Sequence, residues 1–90
     1  MKSIEILNEN GEVLNMELIF SFTCQVNGKN YVALNNNDDI FEANSRYANI
    51  DIFEVTQTKS KYIYVSDIPT EEWSTVKKAL QFTVFAKMGN

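Results

Sequence analysis

Cys24 is the only cysteine in the chain and the one side chain that offers soft-nucleophile or redox chemistry. A working thiolate needs a base or a cation beside it, and the sequence contains no histidine. Cys24 also alternates with Phe22 and Val26, and an unpaired cysteine among apolar residues is ordinarily a buried one. Asp38-Asp39, with Asp51 further on, carry the oxygen ligands that calcium or magnesium would use. Their spacing lacks the D-x-D-x-[DN]-G order of a calcium loop, and they follow Asn35-Asn36-Asn37, so a solvated turn is the simpler reading. Glu5, Glu17 and Glu54 would suit paired-carboxylate acid–base work, yet each alternates with apolar residues as a wet strand face does. Tyr31, Tyr47, Tyr62 and Tyr64 could stack bases, but no interleaved arginine or lysine run accompanies them. No catalytic residue, cofactor-binding residue or metal ligand is therefore predicted.

The wider composition narrows the function classes. Twelve acids oppose eight bases, a formal net charge of −4, and Lys77-Lys78 is the only adjacent basic pair. Nucleic acids and anionic bilayers are held by clustered lysine and arginine, so direct binding to either is disfavoured. The first five residues, Met-Lys-Ser-Ile-Glu, place an acid where a signal peptide would start its apolar run, and no apolar stretch reaches membrane-span length. A cytoplasmic protein is expected. Asparagine-rich, lysine-over-arginine usage hints at an AT-rich bacterial or phage genome.

The elements that must position these residues are mostly strands. Residues 3 to 7 read as a short strand, and residues 13 to 26 alternate persistently, with Leu14, Met16, Leu18, Phe20, Phe22, Cys24 and Val26 on one face. Ile19 breaks that alternation. Fourteen extended residues would span roughly 46 Å, too long for so small a domain, so a bend or bulge is expected inside the run. Asn10-Gly11 and Asn27-Gly28 are hairpin signals. Three-residue loops with a left-handed glycine would set Ile6 opposite Leu14 and Ile4 opposite Met16. They would also set Phe22 opposite Val32 and Phe20 opposite Leu34. Residues 35 to 49 read as a long loop holding at most a short strand or helical turn. Ile50 to Gln57 and Tyr62 to Ser66 resume strand character.

The last element is a helix. Pro69 suits its start, Thr70 could cap it, and Glu71 and Glu72 sit where the helix dipole favours acids. Trp73, Val76, Ala79, Leu80 and Val84 form one stripe. Phe82, Phe85 and Met88 fall off it if the helix continues. They are the candidate partner surface, either folded back on the body or used for homodimerisation or a partner's groove. Leu18, Phe20, Phe22, Trp73, Val76 and Leu80 are the predicted core.

The order of features resembles the domain-of-unknown-function 1292 family, small acidic proteins found mostly in low-GC Gram-positive bacteria. The likeness rests on the turn Asn8-Glu9-Asn10-Gly11, on Glu17-Leu18-Ile19-Phe20-Ser21-Phe22, on Lys29-Asn30-Tyr31-Val32-Ala33-Leu34 and on Ile68-Pro69-Thr70-Glu71-Glu72-Trp73. It covers residues 4 to 34 and 62 to 81. The resemblance implies a cytoplasmic, non-enzymatic protein and carries no catalytic residues with it. The chain is less acidic than the usual member and finishes in Phe82-Thr83-Val84-Phe85-Ala86-Lys87-Met88 where the family tends to finish in charged residues. The expected fold is α+β over a single domain, residues 1–90, an antiparallel meander of about five strands with one C-terminal helix packed on one face. The expected function is a non-enzymatic protein-binding or regulatory module. The alternative is an acidic nucleic-acid mimic, of the kind that small phage proteins can be, that inhibits a nuclease or another nucleic-acid-handling enzyme.

Overall fold

A computed structural model describes residues 2–35, 43–58 and 61–88. Six strands precede the helix: β1 (Lys2–Leu7), β2 (Val13–Thr23), β3 (Asn30–Asn35), β4 (Ser45–Tyr47), β5 (Ile50–Gln57) and β6 (Ile63–Ser66). A 3-10 turn at Thr70–Glu72 leads into α1, Trp73–Met88. The fold is α+β with a C-terminal helix, but the sheet is not an open antiparallel meander. Five strands close into a barrel-like ring, because β3 pairs with β5 and β1 pairs with β6. The β1–β6 pairing is parallel, Ile6 opposite Ile63 and Leu7 opposite Tyr64. Parity explains this: when antiparallel neighbours close a ring with an odd number of members, the first and last must run the same way. β4 stands outside the ring, sharing one edge of β5 with β6.

The first hairpin has the expected register, with Ile4 opposite Met16 and Ile6 opposite Leu14. Gly11 takes a φ of +80° at the end of its three-residue loop. Asn8 fixes that loop: its Oδ1 accepts from the N–H of Asn10 (3.0 Å) and of Glu12 (2.9 Å). The second hairpin departs from expectation. Phe22 faces Tyr31 and Phe20 faces Ala33, one residue away from the predicted partners Val32 and Leu34. The loop is four residues long, closed by Gly28 N–H donating to the Cys24 carbonyl (2.8 Å) and Cys24 N–H donating to that of Lys29 (3.0 Å). Alternation could not fix the register there, because Tyr31, Val32, Ala33 and Leu34 are all buried.

A bulge in β2 between Leu18 and Phe20 shifts the pairing by one residue, at the position where the alternation breaks. Even-numbered side chains therefore enter different cores on either side of Ile19. Met16, Leu14 and Leu18 line the barrel with Ile6, Val32, Leu34, Phe53 and Val65. Phe20, Phe22 and Cys24 instead pack outside it with Tyr31, Ala33 and Ile52, beneath Trp73, Val76, Leu80 and Val84 of α1. The Phe22 and Tyr31 rings stack at 5.4 Å. Of the predicted core, Phe22, Val76 and Leu80 are buried, while Leu18, Phe20 and Trp73 are only partly so, because they sit at the margins of their layers. Thr70 does not cap the helix; Pro69 precedes the 3-10 turn, with no side-chain cap.

Candidate functional site

The helix runs through Phe85, so its off-stripe residues are committed to solvent by helical geometry. Phe82 and Phe85 are 77% and 74% exposed. Met88 ends the helix, and its side chain lies outside the described residues. Val26, expected on the apolar face, belongs to the four-residue loop and is 83% exposed. Between this loop and α1 lies a groove of about 430 Å³. Thr23, Gln25 and Val26 form one side, Lys78, Ala79 and Phe82 the other, and Cys24 the buried floor. Phe85 stands one turn beyond Phe82. The three most exposed large apolar side chains among the described residues thus lie at this groove or one turn beyond it; Val13 and Ile19, also exposed, lie apart from it on β2. Lys78 and Val26 are the parts of this site that sequence reasoning missed; Val26 carried no signal beyond its place beside Asn27-Gly28.

Glu5 is exposed and Glu17 half-buried on their strands, while several other polar residues are tied into the fold. Lys29, next to the same loop, holds Glu72 (3.2 Å) and Glu54 (3.4 Å) through its Nζ. The hydrogen bond to Glu72, then the charge of Glu54, raise its pKa above the ordinary lysine value. Tyr31 is buried, which raises its phenol pKa, while a hydrogen bond donated by Asn27 Nδ2 to its hydroxyl (2.8 Å) acts the other way. Lys77 lies over the Tyr47 ring at 6.0 Å and Lys61 over Tyr62 at 5.1 Å. Asp51 is fully buried at 2.7 Å from Arg46 Nε. Asp38 and Asp39 lie outside the described residues. Among the described residues no three of His, Cys, Asp or Glu converge as metal ligands, and no helix is long and apolar enough to cross a membrane.

Near the opposite end, Glu9 Oε1 accepts from the Asp67 N–H (2.8 Å) and Asp67 Oδ1 from that of Asn44 (3.0 Å). This chain of bonds joins the first hairpin to the segments before β4 and after β6. It is a structural clamp, since each carboxylate is engaged with backbone.

What the geometry defines is a small barrel bearing a helix whose outer face keeps two aromatic rings in water. Residues 9–83 match the family described as Protein of unknown function (DUF1292), and the chain belongs to that family. The match includes β2 through most of α1 and stops between Phe82 and Phe85. No curated protein and no solved structure matches the chain.

Proposed function

We propose that this protein is a non-catalytic protein-binding module of the cytoplasm, and that its contact surface is the groove between the β2–β3 loop and α1, with Val26, Phe82 and Phe85 at its rim. The observation that carries the reading is the joint exposure of Phe82 and Phe85 beside an open apolar groove. Each large side chain left in water forgoes roughly 1.5–3 kcal/mol of burial, and monomeric proteins seldom leave such residues clustered without a use. The alternative role as an acidic nucleic-acid mimic has less support. Glu54 and Glu72 share Lys29 and Asp51 is paired with Arg46, so three carboxylates are engaged with two bases within the fold rather than free on the surface.

The test is affinity capture from a host lysate with the whole chain, run beside Phe82→Ser/Phe85→Ser at matched melting temperature. A protein retained by the first and lost from the second is the expected result. Identical retained sets would end the proposal.

A further inference from the structure

We infer that the groove takes an amphipathic helix from an acidic partner protein; this rests on the binding role above and adds the chemistry of the occupant. Thr75, Lys78, Phe82 and Phe85 follow one another along α1 at spacings of three, four and three residues. That is the spacing of a seam along which a second helix packs. The span from Thr75 to Phe85 rises about 15 Å, or roughly three turns of an occupying helix. Val26, Phe82 and Phe85 present roughly 400 Å² of apolar surface, taking about 150–250 Å² for a whole aromatic side chain. Standard interfaces cover about 800 Å² per partner, so the occupant must also reach the polar sides of the groove.

Lys78 decides what that occupant is. It lines the groove within the seam, so a docked helix lies against its stem and meets its ammonium. A cation at the edge of such a contact favours a carboxylate on the visiting surface and disfavours another cation. Lys78 has no such partner among the described residues. Lys77, by contrast, lies over the Tyr47 ring and does not line the groove, so Lys78 alone sets the preference for an acidic visitor.

Self-association does not meet this requirement. All twelve acids and five of the eight bases lie in residues 1–72, which carry −7, while residues 73–90 carry three lysines and no acid, +3. A second copy of α1, laid parallel or antiparallel, brings lysines and no carboxylate to the seam. A helix with apolar residues at i, i+3 or i+4 and i+7, flanked by Asp or Glu, supplies both the anchors and the counter-charge.

The experiment is selection of a displayed library of random peptides of about 16 residues, enough for the three turns required. The bait is the intact chain, with counter-selection on Phe82→Ser/Phe85→Ser. Circular dichroism verifies that both fold alike. Enriched peptides are expected to carry apolar residues at helical spacing and an excess of Asp and Glu. A synthetic representative should bind about tenfold more weakly to Lys78→Glu, and more weakly in about 0.5 M salt, where screening is strong. Peptides that require Phe82 yet lack acidic excess, or bind Lys78→Glu equally, overturn the inference and leave the groove's binding role intact. Peptides that bind the double variant as well as the parent overturn both. A concentration-dependent dimer in sedimentation, lost in the double variant, assigns the groove to a second copy and overturns the acidic helix.

Discussion

Asp51 is fully buried and meets the Arg46 guanidinium at 2.7 Å, across the β4–β5 turn. Asp51→Ala should cost about 3 kcal/mol by strandwise loss of that pair, because it leaves a partly covered guanidinium uncompensated. Urea denaturation measures this, and Asp51→Ala/Arg46→Ala should recover part of the loss. The sequence displays an acid inside Ile-Asp-Ile-Phe, which marks Asp51 as unusual, but its partner is invisible until the turn brings Arg46 opposite. Two other residues link stability to alkaline pH. Lys29 has its pKa raised above 10.5 by Glu72 and Glu54, and Tyr31 has its own raised above 10.0 mainly by burial. In both, the folded state holds the proton more tightly than the unfolded chain. Their contributions are thus complete below about pH 10 and are lost as pH climbs through the raised values. Melting temperatures measured from pH 8 to 12 should fall in that window, and Lys29→Met and Tyr31→Phe should each flatten the fall.

Turns and one bulge decide how the elements meet. Ala48 and Asn49 join β4 to β5 with φ of 50° and 69°, a two-residue loop in which both residues are left-handed. An alanine there bears about 1–2 kcal/mol of strain, against which glycine's greater unfolded freedom counts for about 0.4–1. Ala48→Gly should therefore stabilise the protein by about 0.5 kcal/mol, readable as a shift in the denaturation midpoint. Gly28→Ala should do the opposite by about 1 kcal/mol, because φ is +72° although nothing crowds the added methyl. These turns also explain what could be read beforehand. Asn10-Gly11 announced its hairpin and register because one face of that ribbon is wet. Ala-Asn carries no turn signal, so β4 is the short strand that the expected loop allows but that could not be placed within it. Asn27-Gly28 announced a hairpin but gave the wrong partners, since β3 is covered on both faces and alternation loses its meaning there. Phe82 and Phe85 were legible as off-stripe residues, whereas the groove beside them depends on a loop length that the sequence leaves open.

At the scale of the whole molecule, ring closure depends on unequal seams. β3 meets β5 over six residue pairs, while β1 meets β6 over two. Amides bridging β1 and β6 should exchange with deuterium faster than those bridging β3 and β5, because a short parallel ladder opens at lower cost. Equal protection across both seams would show that the ring opens only as a unit. The bulge at Ile19 has a separate consequence, for how the protein can change over generations. It divides one strand between two cores, so a substitution at Met16 must be accommodated by barrel residues, and one at Phe22 by the helix layer. Drift in one core need not be matched in the other. The helix and its outward aromatics can then be rewritten for a new purpose while the barrel beneath is inherited unaltered.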